Sequence, residues 1–494
     1  MLSRRYSLAA LLMLGSLAAA ADGAPWYQTD FPREEFRARW DKVFAKIGDK
    51  AAAIVAGAPQ VGGFVIPRQS NEFYYLCGVE TPGSYILLDG RSRRVTLYLP
   101  PRNARLEASE GKVLSSDDKD LAQRLIGVDE VQSIEAMRGD WLAGLPGGLP
   151  ETIWTPFAPA ERSAEQRYEL LALNAAIAAD PWDGRVPRES RLIELLRARY
   201  PKARISDLTP VLDELRSVKS PREVALMRRA AELAGRGLLE AMRSTRPGVS
   251  EYELDAAARY VFLVNGARLE AYRSITASGT DNIWNPHYYR NNAKLSAGDL
   301  VLMDYAPDYH YYTSDIARIW PVSGKYSEVQ KELLGFVLEY RNQILKRIRP
   351  GVSAKQIQED AKEAMAPVLA ATRFSKPVYA QAARKLVETG GGVFSHPVGM
   401  AVHDDGGYAD RPLQPGVVFS VDPQLRVPEE NLYIRYEDVV VVTEKGVENF
   451  TDFLPAALDQ IERAVTRGDG IVQRFPPAPP ARELGEQAAG RAKR

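Results

Sequence analysis

The sequence predicts an α/β protein with two domains, and three features of the chain support this prediction. The chain has 494 residues, which exceeds what one hydrophobic core usually supports. Short β-rich runs alternate with helical patterns through its first half, as in α/β domains. In its second half the turn sequence Arg246–Ser250 recurs as Arg349–Ser353, which indicates a duplicated αβ half. We therefore expect an amino-terminal domain over residues 27–205 and a second domain over residues 206–460.

Local patterns predict the individual elements. In chain order the first domain should contain helix Phe36–Ile47, strands Ala51–Val55, Tyr85–Leu88 and Val95–Leu99, and helices Asp120–Ile126 and Ser190–Tyr200. In the second domain, Ser250 and Ser353 should each open a helix. Glu253 and Gln356 follow them by three residues, which completes a capping box in both copies. Past this domain, residues 465–494 are rich in proline, charged and small residues and are predicted to form a disordered tail.

The composition excludes some classes of function. Lys plus Arg and Asp plus Glu each total 64, so the chain has no net field that would attract nucleic acid or an anionic membrane. Cys77 is the single cysteine, which rules out an internal disulfide. In its apolar surroundings we expect it to be a buried bystander rather than a nucleophile.

The first residues resemble an export signal. Arg4 and Arg5 precede the apolar stretch Leu8–Ala20, which ends in small residues. We predict a cleavable signal peptide over residues 1–21 and a secreted, most simply periplasmic, protein. The segment Ser3–Leu8 also has features of a twin-arginine signal, so the export route is left open. No later segment is apolar over enough residues to anchor the chain in a membrane.

Chemistry-bearing residues concentrate in the second domain, where the four histidines of the chain all lie between positions 287 and 403. The strand Leu300–Asp304 is predicted to return as Tyr311–Ala317 after a turn at Tyr309–His310. This register would place Asp304 opposite Asp315, at a separation where two bare carboxylates repel each other. A divalent cation between them removes that repulsion. The alternative is a turn flanked by two solvated aspartates.

Two later apolar strands also carry acids. Val417–Asp422 ends in a carboxylate, and Ile434–Val442 is interrupted by Glu437. An unpaired charge in such a strand costs several kcal/mol, so we expect each acid to be paired or bound to metal. Asp438 should face away from Glu437, because side chains alternate along a strand. With His396, these acids form an oxygen-rich set that suits Mn, Co or Zn, and a pair of such ions is typical of hydrolases.

The chain resembles the pita-bread metallopeptidases, the group that contains aminopeptidase P, prolidase and creatinase. The segments Phe73–Val79 and Leu97–Arg102 are similar to the amino domain of aminopeptidase P and prolidase, and Leu215–Glu223 is similar to the entry of the catalytic domain. Five potential ligands then follow in the family's order of Asp, Asp, His, acid and Glu. The resemblance implies an aminopeptidase P-like amino-terminal domain followed by a pita-bread catalytic domain with two pseudo-symmetric αβ halves.

The resemblance also implies the metal ligands, residue by residue. It assigns two divalent ions, with Mn as the first expectation and Co or Zn as alternatives. Asp304 would bind one ion, and His396 with Asp422 would hold the other. Asp315 and Glu437 would bridge the pair.

The same resemblance implies the catalytic residues. His287 and His403 match histidines that contact substrate or stabilise the tetrahedral intermediate, and Asp422 would also carry the proton. Arg435 matches an arginine that orients the bridging carboxylates. His310 has no counterpart and is expected in the hairpin turn.

Three residues depart from the family pattern. Asp422 stands where Glu is usual, which makes this side chain one methylene shorter. Gly392 stands where a histidine is common beside the proline pocket, and Arg426 stands where a tyrosine is common. These departures predict an intact metal site and an altered specificity pocket.

The resemblance implies a peptidase whose substrate has proline at its second position, with hydrolysis of the bond before that proline. A strict Xaa-Pro dipeptidase is the alternative within the same chemistry. Two further alternatives are hydrolysis of another C–N bond, as in creatinase, and a non-catalytic binding protein on a peptidase scaffold. The resemblance also leaves a homodimer or a homotetramer open.

Overall fold

The computed structural model describes residues 26–392, 394, 396–409 and 411–477. The chain divides into two compact units, of which the first comprises Met1–Ala160 and Leu171–Leu212. The second comprises Glu161–Leu170 and Asp213–Arg494. The predicted signal peptide, residues 1–21, lies outside the described residues, and the predicted domain bounds stay predictions.

The first unit is built on a mixed six-stranded sheet. From residue 26 to residue 217 the chain forms α1 (Arg33–Ile47), β1 (Ala51–Ala56), α2 (Asn71–Cys77), β2 (Tyr85–Asp89), β3 (Arg94–Leu99), α3 (Ala104–Glu110), α4 (Lys119–Ile126), β4 (Glu130–Ser133), β5 (Thr152–Thr155), α5 (Arg167–Ala179), α6 (Arg188–Arg199), β6 (Arg204–Asp207) and α7 (Thr209–Ser217). The strand order is β4-β3-β2-β1-β5-β6. Strands β1, β2 and β3 pair antiparallel and the other neighbours pair parallel. Ile54, Leu87 and Ile153 lie in its core, and Cys77 is buried as expected.

The second unit contains several small antiparallel sheets and the longest helices. It forms α8 (Pro221–Ser244), α9 (Glu251–Val264), β7 (Leu269–Glu270), β8 (Ile275–Ser278), α10 (Gly279–Ile283), β9 (Leu300–Asp304), β10 (Pro307–Asp308), β11 (Ala317–Pro321), α11 (Glu328–Leu345), α12 (Ala354–Ala371), α13 (Pro377–Thr389), β12 (Val418–Val421), β13 (Gln424–Val427), β14 (Leu432–Arg435), β15 (Asp438–Thr443), β16 (Gly446–Asn449), α14 (Leu458–Thr466) and α15 (Ile471–Arg474). The sheets have the orders β11-β9-β8, β12-β15-β16, β13-β14 and β10-β7.

The repeated turn makes the same backbone hydrogen bonds in both copies. The amide of Gly248 donates to the carbonyl of Leu295 over 2.8 Å, and that of Gly351 donates to the carbonyl of Leu413 over 2.8 Å. Both leucine amides donate back to the valine that follows the glycine in the turn. This equivalence supports the predicted duplication of an αβ half.

The two helix starts differ in one respect. Ser250 forms the complete capping box with Glu253 at the start of α9. Ser353 accepts from the amide of Gln356 over 3.2 Å at the start of α12, but the Gln356 side chain donates to Asp360 instead of returning to the cap. The second predicted box is therefore half formed, because the hydrogen bond to Asp360 turns the glutamine side chain away from the cap.

The turn of the Asp304 hairpin lies one residue later than predicted. His310 and Tyr311 occupy it with φ of +51° and +73°, the left-handed pair that a type I′ turn requires. His310 thus lies in the turn, as expected. The predicted return strand Tyr311–Ala317 is wrong, because β11 begins only at Ala317.

This displacement of the turn shifts the strand register by two residues. Asp304 pairs with Ala317 rather than with Asp315. A shift of two residues keeps Asp315 on the same face of the hairpin, diagonal to Asp304. The predicted pairing is wrong, but the two carboxylates still point to the same side.

The strand predicted over Ile434–Val442 is broken in the structure. Strand β14 ends at Arg435 and β15 begins at Asp438, so Glu437 lies in the step between them. Asp438 accepts from Arg318 Nη2 over 2.7 Å and from Arg341 Nε over 2.6 Å. It therefore belongs to a separate ion network, which confirms that it faces away from Glu437.

The predicted tail is ordered at its beginning. Helix α15 lies within it, Val472 is buried and the amide of Ile471 donates to Glu240 over 2.6 Å. Residues 478–494 of the predicted tail lie outside the described residues. Among the residues that the structure describes, no helix combines the length and the apolar character that crossing a membrane needs.

Candidate metal centre

The five predicted ligands come from ends of strands in the second unit. Asp304 is the last residue of β9, Asp315 lies two residues before β11, Asp422 follows β12 and Glu437 lies between β14 and β15. His396 precedes Pro397, which bridges to Phe419 of β12. All four carboxylates are at most 3% exposed. Burial of this many acids in one region needs compensating positive charge.

The carboxylates and imidazoles form two overlapping groups. One potential ligand atom each from Asp304, Asp315 and Glu437 lies within 4.8 Å of the others. The same holds for Asp315, His396 and His403. Asp315 is common to both groups, which is the arrangement expected when one carboxylate serves two neighbouring ions.

Arg435 forms ion pairs with three of the acids. Its Nη1 lies 2.5 Å from Asp304 Oδ2, its Nη2 lies 2.6 Å from Glu437 Oε2 and its Nε lies 2.8 Å from Asp422 Oδ1. Gln424 Nε2 donates to the second oxygen of Asp422. Asp422 is therefore held in the same network through Arg435, and it belongs to neither of the two ligand groups within the described part of the chain.

The orientation of His396 suits a metal ligand. Its Nδ1 lies 3.0 Å from the carbonyl oxygen of Pro397, which can only accept, so Nδ1 carries the proton of this contact. In the neutral imidazole, Nε2 then presents a lone pair 3.3 Å from Asp315 Oδ2 and 4.0 Å from Glu437 Oε1. The Ser420 hydroxyl lies 3.3 Å from the same Nε2. A metal ion bound at this lone pair would offset the charge of the two carboxylates.

The buried acids also need the compensating charge of a cation. Glu437 Oε1 is buried and accepts no hydrogen bond from any residue that the structure describes. Burial raises the pKa of Glu437 well above its ordinary value, against the opposing charge of Arg435. Burial likewise raises the pKa of Asp304 to about 8, again against Arg435. The residues present therefore fit divalent metal ions, whose charge would keep these acids ionised.

The two predicted catalytic histidines have different surroundings. His403 stacks near His396, with ring centroids 3.8 Å apart, and its Nδ1 lies 3.3 Å from the hydroxyl of Tyr168. Burial lowers the pKa of His403 to about 3, so its imidazole is neutral at physiological pH. His287 is exposed, and its backbone carbonyl accepts from Arg273 over 3.2 Å. The structure thus packs His403 against His396, whereas His287 lies at the edge of the site, where partial burial, followed by the charge of Arg435, lowers its pKa.

At least three residues of the site were missed in the sequence, and one of them is Tyr168, which contacts His403. The hydroxyl of Tyr272 lies 2.6 Å from Asp304 Oδ1 and 2.9 Å from Asp315 Oδ1. It reaches them because β8 begins three residues later and pairs Ile275 with Asp304. Its immediate neighbours in the sequence, Ala271 and Arg273, do not indicate a role at the acids. Gln424 was also missed, although its position two residues after Asp422 on an adjoining strand was a usable signal.

The structure shows what surrounds Gly392 and Arg426, the two residues near the predicted specificity pocket that depart from the family pattern. Gly392 has φ of +79°, and a Cβ added to it would lie 2.1 Å from the carbonyl oxygen of Asp422. This backbone therefore accepts no side chain there. The guanidinium of Arg426 lies over the rings of Tyr433 and Trp284, at 4.2 Å and 5.5 Å from their centroids.

Comparisons with known proteins agree with this architecture. Residues 225–444 match Metallopeptidase family M24, and residues 36–144 match the aminopeptidase P, N-terminal domain. The Xaa-Pro aminopeptidase of Escherichia coli (strain K12) is 30% identical over 456 residues, which cover 88% of this chain and 98% of that protein.

Solved structures give the same result. Aminopeptidase P from E. coli with the inhibitor Pro-Leu has a TM-score of 0.71 and 27% identity, covering 89% of this chain and 99% of that one. Zinc-substituted E. coli aminopeptidase P in complex with product has a TM-score of 0.70 and 28% identity, with the same coverage. The predicted fold, an aminopeptidase P-type amino-terminal domain followed by a metallopeptidase domain, is confirmed. The chain is therefore a metallopeptidase of family M24, in the aminopeptidase P group.

Proposed function

We propose that this chain is an aminopeptidase that uses two divalent metal ions to hydrolyse the bond between an N-terminal residue and proline. The observation that carries the proposal is the pair of ligand groups that share Asp315, one of which contains Glu437, whose buried Oε1 accepts no hydrogen bond from the described residues. The substrate class is supported by the Xaa-Pro aminopeptidase of E. coli, which this chain matches over nearly its whole length.

In this proposal Asp304 would hold one ion, His396 and Asp422 would hold the other, and Asp315 and Glu437 would be shared between them. The donor set is rich in carboxylate oxygen, which supports Mn as the first choice, with Co or Zn as alternatives. When bound, such a pair polarises the scissile carbonyl and makes water nucleophilic near neutral pH.

Asp422 is the proposed proton carrier. Its two oxygens are oriented by Arg435 and Gln424, so the carboxyl is held in place for transfer. Burial raises the pKa of Asp422, although Arg435 opposes the effect, which favours uptake of a proton during the reaction. The proton would then pass to the departing proline nitrogen.

His403 and His287 are proposed to stabilise the oxyanion. The Tyr168 hydroxyl can donate to His403 Nδ1, which leaves the hydrogen on Nε2 of the neutral ring. That N–H is a suitable donor to negative charge developing on the carbonyl oxygen. Arg435 acts on the acids and not on the substrate, as a positioning residue.

A peptide panel tests the proposed activity. Purified protein loaded with manganese should hydrolyse Xaa-Pro-Xaa tripeptides and leave matched proline-free peptides intact. Turnover confined to Xaa-Pro dipeptides would favour the dipeptidase alternative. Bound metal without turnover of any peptide would contradict the proposal and favour a binding protein on this scaffold.

We also propose that the chain is exported, on the basis of Arg4, Arg5 and the apolar stretch Leu8–Ala20. Amino-terminal sequencing of the mature protein should then begin after Ala21, and an intact Met1 in the exported fraction would contradict cleavage. Assembly into a homodimer or a homotetramer stays a prediction for sedimentation analysis.

A further inference from the structure

The β13–β14 hairpin presents one face to the candidate metal centre. Its register pairs Gln424 with Arg435 and Arg426 with Tyr433. Gln424 and Arg435 both bind Asp422, so this cross-strand pair faces the acids. Side chains two residues apart share a face of a strand. Arg426 and Tyr433 therefore stand on the same face, one step further from the acids.

The surroundings of Arg426 contrast with those of Arg435. Arg435 binds three carboxylates. Arg426 lies against the rings of Tyr433 and Trp284, and no carboxylate of the described residues pairs with it. The two rings hold a half-buried guanidinium in place and leave its hydrogen-bond donors without an anionic partner in the described chain.

The spacing along the hairpin matches a short peptide. Two residues along a strand span about 7 Å. In an extended peptide each residue also spans about 3.3–3.6 Å, so a terminal carboxylate one or two residues past the scissile bond lies about 4–7 Å from it. The backbone positions of Gln424 and Arg426 are separated by about this distance, so a guanidinium at residue 426 suits a carboxylate placed there and can bind it through two parallel hydrogen bonds.

We propose that Arg426 binds the C-terminal carboxylate of the substrate and thereby selects short peptides that end one or two residues after the cleaved bond. This inference rests on the proposed function and names the substrate class within it. Longer peptides and peptides with an amidated C terminus lack a carboxylate at this distance and should bind more weakly.

Binding of Pro-Leu and of its C-terminal amide to the manganese-loaded protein tests the role of Arg426 directly. By calorimetry the wild-type protein should bind Pro-Leu about tenfold more tightly than the amide, as expected for one charge-assisted ion pair in a half-buried site. Arg426→Gln should remove this preference and leave the affinity for the amide unchanged. Arg426→Lys should retain part of it.

A matched control separates recognition from packing. Arg228 also lies over an aromatic ring, that of Phe450, and pairs with Glu448, so Arg228→Gln removes a comparable guanidinium from another element. This variant should keep the tenfold preference. If Arg426→Gln weakens Pro-Leu and its amide equally, Arg426 only braces the two rings and the inference is overturned.

Kinetics distinguish failure of this inference from failure of the proposed function. Xaa-Pro-Xaa peptides with free and amidated C termini should differ about tenfold in KM with wild-type protein and hardly at all with Arg426→Gln. Hydrolysis of both forms with equal KM in the wild type would overturn the inference and leave the peptidase intact. Failure to hydrolyse any Xaa-Pro peptide would overturn the proposed function itself.

Discussion

Replacing Glu437 by glutamine should have opposite effects on stability with and without metal. Glu437 Oε2 accepts from Arg435 over 2.6 Å, and a glutamine carbonyl oxygen can keep that bond. The glutamine amide would take the position of Oε1, which accepts no hydrogen bond and lies 4.0 Å from His396 Nε2. The substitution thus removes one buried negative charge with little change in shape.

The direction of the stability change without metal follows from the raised pKa of Glu437, and the size of the change with metal follows from ligand linkage. A carboxyl whose folded-state pKa exceeds its unfolded value costs stability at neutral pH, by about 1.4 kcal/mol for each pH unit of the difference. Without metal, Glu437→Gln should therefore be more stable than wild type at neutral pH. At free metal one hundredfold above Kd, the wild type gains about 2.7 kcal/mol that the variant lacks.

Thermal unfolding with and without manganese measures both effects. The wild-type Tm should rise by about 5–10 °C on metal addition, given about 2–4 °C per kcal/mol for a domain of this size. The Tm of Glu437→Gln should be higher than that of the wild type without manganese and should rise little when manganese is added. Glu448→Gln, an acid paired with Arg228 outside the cluster, should behave as wild type. The reasoning is refuted if Glu437→Gln keeps the full metal-induced rise.

Three further variants test other parts of the structure. Burial, followed by the charge of Glu270, raises the pKa of Asp255 to about 6, so its ionisation costs stability as the pH rises from about 4 to about 6. Asp255→Asn should therefore gain about 1–3 kcal/mol above pH 6 and nothing below pH 4 in urea unfolding; an equal gain at both pH values would contradict this origin. Gly392→Ala should lose about 1–2 kcal/mol from its positive φ alone, and more from contact with the Asp422 carbonyl, so an unchanged urea midpoint would mean that the backbone differs there. With metal content equal to that of the wild type, Asp422→Asn should lower kcat about 10²- to 10⁴-fold with little change in KM, whereas a change confined to KM would exclude proton transfer by this residue.

Much of the site could be predicted because its acids interrupt apolar strands. Asp304 ends a strand whose other residues are apolar, and Asp422 directly follows the mainly apolar strand β12; an isolated acid in such a place needs a partner. The direction of Asp438, away from Glu437, could also be predicted, because side chains alternate along a strand. The helix starts at Ser250 and Ser353 could be predicted from capping residues, because this signal is local.

The features that were missed depend on long-range geometry. The register between Asp304 and Asp315 depends on a type I′ turn at His310 and Tyr311, which have none of the usual Asn or Gly residues of that turn. Tyr272 reaches the acids only through the pairing of β8 with β9, which no local pattern specifies. The half-formed cap at Ser353 likewise results from a hydrogen bond that turns the glutamine side chain away from the cap.

The most direct test of the metal centre is anomalous diffraction from crystals of the manganese-loaded protein. The proposal predicts two peaks about 3.5–4 Å apart, both in contact with Asp315. A single peak, or two peaks located away from Asp315 and Glu437, would contradict a dinuclear centre at these residues.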